Sequence, residues 1–351
     1  MTPAPFHPRR WLSNGHLQTI VGNFLPRTDR LPPASTELIQ AALPEEMQAL
    51  PEAVALDALL PSKLLCHCHW QADADAVTVV LVHGLEGSSH SQYVVGNANK
   101  LFAAGCSVVR MNMRNCGDTD ALSPTLYHSG MSGDVTAVLR WLITRGHTRV
   151  VLAGYSMGGN LVLKAVGELG SDAPSQLIAA VGISPPMDLG ESANALHEVQ
   201  NRIYEARFLR NLLKRYARKC TLYPAVFHPE AAAKVRSIRD FDEYVMTPHC
   251  GFTGASDYYA RSGAARVLHR IAVPTLILHA MDDPFIRLTA TTRQALQSNS
   301  NITLLEPEHG GHCAFLEEPS GTYDGYYAER LLLQFVKEHA AASARAEAPL
   351  C

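Results

Sequence analysis

The stretch that most constrains the fold is VVLAGYSMGGNLVL, residues 150–163. An apolar, β-branched run ends at Gly154, a serine follows at 156, and a second apolar run resumes with helical spacing after Gly158 and Gly159. A strand that turns this sharply into a helix leaves the residue at the bend in strained backbone, and only small neighbours avoid clashing with it. A Gly-x-Ser-x-Gly element between strand and helix raises the serine hydroxyl above a sheet edge, with the helix N-terminus beneath any negative charge that develops there. An incidental serine in a glycine-rich turn is the competing explanation. The strand before it and the helix after it favour nucleophilic chemistry.

The surrounding chain alternates in the same rhythm. AVTVVLVHG (76–84), SVVRMNM (107–113), TRVVLAG (148–154), LIAAVGIS (177–184), VPTLILHAMDD (273–283) and NITLLEPE (301–308) read as strands. Helical patterns fall between them at 91–105, 133–146, 159–170, near 287–297 and from about 322 to 340. Continuous apolar strands alternating with helices predict an α/β fold, a mostly parallel central sheet flanked by helices on both faces. Residues 1–60, rich in Pro and Ala and without strand alternation, are expected to form an N-terminal arm with one or two short helices. Residues 61–187 then form the first part of the core. Residues 188–255 form a helical cap insertion over the carboxyl edge of the sheet, 256–340 the second part of the core, and 341–351 a flexible tail.

A serine at such a turn needs a base and an acid, in the chain order Ser, acid, His for this strand arrangement. LILHAMDDPFI offers Asp282 and Asp283 at the end of the next-to-last strand; Asp283, at an Asp-Pro turn, is the better placed. EPEHGGHCAFL offers His309 and His312 after the last strand. His312 follows two glycines that let the backbone approach the serine, and His309 is expected to order the loop or face solvent. Two backbone N–H groups should form an oxyanion hole, those of Met157 and Leu85. His83 reads as a brace for the loop's hydrogen bonds rather than as a catalytic group.

Composition removes several classes. The formal net charge of -3 over 351 residues lacks the basic surplus that phosphate binding needs, so no nucleic-acid partner is expected. No run reaches the ~18 apolar residues of a membrane span, and the start carries no secretory h-region and no lipidation motif. The 8 cysteines then read as reduced thiols in a cytoplasmic protein. CHCHW (66–70) invites a metal, but strand alternation puts Cys66 and Cys68 on one face and His67 and His69 on the other. Neither a metal nor a cofactor is expected, and Cys116 and Cys313 read as small apolar filler. RIYEARFLRNLLKRYARK (202–219) has seven basic residues and one acid, with Leu209, Leu212, Leu213 and Tyr216 on one stripe. A solvated helix face packed on the sheet edge explains it; peripheral contact with anionic lipid or acidic substrates is the sharper expectation.

Several further stretches reach a particular family. WLSNGHLQTI (11–20), HGLEGSSHSQYV (83–94), RMNMRNCGD (110–118), YHSG (127–130), GYSMGGN (154–160), FD with TPHCGFTGASDYY (247–259), DDPF (282–285) and GGHCAFL (311–317) resemble, in order, the blocks of the YheT-like (AB hydrolase-4) branch of the α/β-hydrolases. The resemblance implies an α/β-hydrolase fold and a triad carried by Ser156, Asp283 and His312. It also implies activity on acyl esters of short- to medium-chain acids or on lipid esters. Asn115 stands where relatives often carry glycine. The expected function is a serine carboxylic-ester hydrolase. Transfer of the acyl group to an alcohol, or a catalytically silent binding protein, are the alternatives; intact triad candidates argue against the last.

Overall fold

Each apolar run before the glycine-rich turn becomes a strand of one sheet. In chain order the computed structural model, which describes residues 4–347, has α1 (Gly15–Phe24), β1 (Ser35–Gln40), α2 (Pro51–Leu59), β2 (Lys63–His69), β3 (Thr78–Val82), α3 (Gln92–Ala103), β4 (Ser107–Met111), α4 (Ser132–Thr144), β5 (Val150–Tyr155), α5 (Met157–Leu169) and β6 (Leu177–Ile183). A helical stretch follows: α6 (Leu189–Leu196), α7 (Arg202–Leu222), the one-turn α8 (Ile238–Phe241) and α9 (Thr247–Cys250), and α10 (Ala255–Ser262). The chain then returns to the sheet through β7 (Thr275–Leu278), α11 (Ala290–Ser298), β8 (Ile302–Leu305) and α12 (Tyr327–Glu347).

The eight strands lie in the order β1-β2-β4-β3-β5-β6-β7-β8. β2 pairs antiparallel with both β1 and β4, and every other pairing is parallel. Alternation along the central strands divides the core into two layers. Val80, Val109 and Leu152 face one side, against Leu139 of α4 and Leu161 and Val162 of α5. Val79, Val108 and Val151 face the other, against Leu101 of α3 and Leu331 and Leu332 of α12. Burial on both faces explains why these strands read as unbroken apolar runs.

Three features depart from the sequence reading. Residues 35–40, expected within a strandless arm, form β1 and pair with β2 from Ser35↔Cys68 to Gln40↔Lys63. Only Ile39 of that strand is buried, so its pattern carries almost no periodic signal. The helical run begun at 189 continues to Ser262, past the expected end of the cap at 255. The last helix starts at Tyr327 and runs to Glu347, so residues 341–347 of the expected flexible tail are helical; 348–351 lie outside the described residues.

The cap has an apolar core of its own. Leu212 and Tyr216 of α7 pack with Phe227, Phe241 and Val245, and Leu209 and Leu213 close against that cluster. Burying a leucine in this way contributes about 1.5–3 kcal/mol. Leu85 of the sheet-edge loop touches the same cluster, so the cap rests directly on the loop that follows β3.

Candidate active site

The bend after β5 has the strain that its sequence implies. Ser156 has φ 52° and ψ -123°, a region that costs about 1–3 kcal/mol for a residue with a side chain. Its small neighbours are required by contact. A Cβ on Gly154 would lie 2.2 Å from the Gly158 carbonyl oxygen, and one on Gly158 would lie 2.3 Å from that of His83. The backbone is pinned on both sides: Ser156 N–H donates to the Ile183 carbonyl at 2.8 Å, and its own carbonyl accepts from Asn160 at 3.0 Å. The Asn160 side chain is fully buried and ties the elbow helix to the YHSG loop and to the end of the cap, through Ser129, Ser262 and Ala264.

The hydroxyl meets the expected partners. His312 Nε2 lies 2.9 Å from Ser156 Oγ, and His312 Nδ1 lies 2.8 Å from Asp283 Oδ2. Asp283 is 2% exposed, and its other oxygen accepts from the N–H groups of Phe285 at 3.2 Å and Ile286 at 2.9 Å. Burial pushes the Asp283 pKa up, but the His312 imidazole, with His279 and the Ile286 amide, outweighs it and holds the carboxyl below its ordinary value. For His312, burial disfavours the charged form, while neighbouring Cys313 and Asp283 favour it; the balance lies above the ordinary histidine value.

Asp282 and His309, the alternatives, are elsewhere. Asp282 Oδ1 accepts from Gly311 N at 2.8 Å, and its Oδ2 faces His309 Nδ1 at 3.5 Å, so the pair shapes the loop beneath His312. His83 is buried, and burial pulls its pKa down to about 4. The neutral ring accepts from Met113 N at Nε2 (3.1 Å) and donates from Nδ1 to the Gly84 carbonyl (2.8 Å), the bracing role read from the sequence. Leu85 lies next to Gly84, whose N–H donates to Tyr93 Oη at 2.7 Å. Among the described residues the Leu85 N–H has no backbone acceptor. Met157, the first residue of α5, carries one of the free N–H groups of a helix start. Asn115 has φ 65°, the left-handed backbone that asparagine tolerates better than most side chains.

Two basic residues of the cap helix do something that the composition did not reveal. Arg215 turns inward and holds Glu86, the residue after Leu85, by two hydrogen bonds (Nε–Oε1 2.9 Å, Nη2–Oε2 3.1 Å), and it reaches Asp120 at 3.3 Å. Tyr127 donates to the same Glu86 carboxylate at 2.5 Å, and Glu86 itself has φ 57°. Lys219 donates to the carbonyls of Asp120 and Ser123, and burial lowers its pKa to about 7. The signal was present: 212, 215, 216 and 219 share one helical face with the apolar stripe. Arg202, Arg207, Arg210 and Lys214 remain exposed.

Above Ser156 the cap closes an apolar cavity of about 790 Å³ including its mouth. Leu189, Leu196, Phe208, Leu212, Phe241 and Met246 of the cap line it, with Leu85, Met157, Phe285 and Ile286 from the sheet edge. Its walls are mostly apolar, which suits a hydrocarbon group rather than a polar one. Its one charged lining group is Asp242, held by Tyr259 Oη at 2.6 Å; burial pushes this carboxyl up to about 7. Cys66 and Cys68 lie in the core while His67 binds Ser89 Oγ at 2.8 Å, so the CHCHW donors do not converge. Burial raises the Cys116 thiol to about 12. Among the described residues, no helix is long and apolar enough to cross a membrane.

A parallel sheet with one antiparallel strand, a strained serine at the strand-to-helix bend and a capped apolar cavity define an esterase/lipase-type α/β-hydrolase. The chain belongs to the α/β-hydrolase fold family, whose model matches residues 77–319. It is 34% identical over 319 residues to the candidate esterase YheT of Escherichia coli (strain K12), which covers 89% of this chain and 87% of that protein. It is 28% identical over 264 residues to phospholipase ABHD3 of Mus musculus, covering 74% of this chain and 63% of the longer relative. The esterase Pf2001 of Pyrococcus furiosus superposes with a TM-score of 0.56 at 14% identity, covering 97% of this chain and 100% of that one, a likeness of fold.

Proposed function

We propose that this hydrolase is a serine carboxylic-ester hydrolase that works through an acyl-enzyme. The observation that carries the reading is the continuous hydrogen-bonded chain Ser156–His312–Asp283 at the floor of an apolar cavity. His312 takes the Ser156 proton as Oγ attacks the ester carbonyl, and Asp283 holds the imidazole in the tautomer that accepts at Nε2 and stabilises its charge. The N–H groups of Leu85 and Met157 receive the oxyanion. The protonated His312 then gives its proton to the leaving alcohol, and water repeats the sequence on the acyl-serine. The apolar lining supports an acyl chain in the cavity, and the names of YheT and ABHD3 support an ester or lipid-ester substrate.

The test is a p-nitrophenyl ester series from acetate to palmitate, with pre-steady-state release of nitrophenol. A burst of about one equivalent per enzyme and a preference for short to medium chains are expected. Turnover that persists in Ser156→Ala overturns it.

A further inference from the structure

The loop that carries His312 is strained on both sides of the imidazole. Gly310 and Gly311 have φ of 145° and 59°, and Cys313 and Phe315, which bear side chains, have 63° and 46°. Such backbone persists only where surrounding contacts over-determine it. Some of those contacts are local to the sheet edge, Gly311 N–H to Asp282 and Cys313 N–H to Ser184; others come from α1, in the arm at the other end of the chain.

Asn14 caps this helix, its side chain accepting from the N–H groups of His16 and Leu17. One turn in, the Thr19 hydroxyl donates its only proton to the Gly15 carbonyl at 2.7 Å. Its oxygen is left as an acceptor, and the backbone N–H of His312 donates to it at 2.8 Å. Gln18, fully buried, binds both backbone groups of Leu316: its amide donates to the carbonyl at 3.1 Å, and its Oε1 accepts from the N–H at 2.9 Å. The two side chains therefore grip the loop at residues 312 and 316, on either side of the left-handed Cys313 and Phe315. The approach is close enough to exclude a side chain. A Cβ on Gly15 would lie 2.0 Å from the Asp282 carbonyl oxygen, and one on Gly311 would lie 2.4 Å from that of Gly15.

We propose that Thr19 and Gln18 are positioning residues for His312. They fix the loop so that Nε2 stands over Ser156 Oγ while Nδ1 stays on Asp283. The stretch WLSNGHLQTI is then part of the working site, although 293 positions separate Thr19 from His312. The inference rests on the reading of Ser156 and His312 as nucleophile and base.

Three substitutions test it. Thr19→Val keeps the size and removes the acceptor, Thr19→Ala removes the acceptor with less bulk, and Thr19→Ser keeps the hydroxyl. The measurements are kcat and KM for p-nitrophenyl butyrate, the rate of labelling by a fluorophosphonate, and the melting temperature. Thr19→Val and Thr19→Ala should each lose about tenfold in kcat with little change in KM, the labelling rate falling in step. Thr19→Ser should restore both, and all three variants should melt near wild type. Wild-type kcat in Thr19→Val and Thr19→Ala overturns the proposal, and so does an equal loss in all three. Activity retained by Ser156→Ala would instead remove the reading beneath it, a result the Thr19 series cannot produce.

Discussion

Arg215 of the cap helix and Glu86 of the loop after β3 form a two-pronged ion pair in which each side chain is less than a tenth exposed. Through it the cap holds the residue next to Leu85, the proposed oxyanion donor. Removing one partner of a buried pair leaves a charge without its counterion. Arg215→Met should therefore destabilise the protein by about 3–5 kcal/mol in urea unfolding. Adding Glu86→Gln, which removes the stranded charge and keeps a partner for Tyr127, should recover part of that loss. A double variant no more stable than Arg215→Met would contradict this account of the pair.

His312 sits above its ordinary pKa: burial lowers it, but Cys313 and Asp283 outweigh that. A general base works only when neutral, so kcat/KM should rise with pH through an inflection above ~6.5. Asp283→Asn removes the charge that favours the imidazolium. Its inflection should move to lower pH, and its kcat should fall by roughly four orders of magnitude, as loss of the orienting carboxylate does in triad enzymes. A pH profile measured on both proteins checks direction and size together.

Asp242 gives a separate pH effect, on stability. Burial raises its pKa to about 7, against the opposing pull of the Tyr259 hydroxyl and Arg239. Between the ordinary carboxylate range and that value the folded state binds a proton that the unfolded state has lost. Stability from this group is therefore present at low pH and is lost as pH rises towards 7. Relative to Asp242→Asn, wild type should lose about 1.4 kcal/mol for each pH unit in that window. Unfolding curves at pH 5, 6 and 7 test it; a constant difference would contradict it.

The cavity wall offers a test of chain length. Leu196 lines it from α6, and Leu196→Trp fills space that an acyl chain would use. Losing the burial of two methylenes at about 0.8 kcal/mol each lowers kcat/KM for octanoate about fifteenfold, while acetate is unaffected. Equal losses on both esters would place the acyl chain elsewhere.

The sheet and the Ser156–Asp283–His312 set were legible because each rests on a local pattern: unbroken apolar runs for strands buried on both faces, and loops whose glycines, prolines and carboxylates fall at strand ends. The choice of Asp283 over Asp282 turned on a single Asp-Pro step; Asp283 lies against His312 and Asp282 against Gly311. β1 was hidden because an edge strand with one buried residue has no period to read. Arg215 was read as part of a basic, solvated face, since a charge count does not register that it shares a face with Leu212 and Tyr216. The grip of Thr19 and Gln18 on the last loop was invisible for a different reason. It joins opposite ends of the chain through side chain–backbone hydrogen bonds, which leave no periodic trace.

The central claim is that Ser156 is the nucleophile and His312 its base. Intact-mass spectrometry after fluorophosphonate treatment tests it most directly, applied to wild type, Ser156→Ala and His312→Ala. The expected result is one adduct on wild type, mapped to the peptide that contains Ser156, no adduct on Ser156→Ala, and labelling slowed by orders of magnitude in His312→Ala. An adduct of equal extent on Ser156→Ala, or labelling of His312→Ala at the wild-type rate, would contradict it.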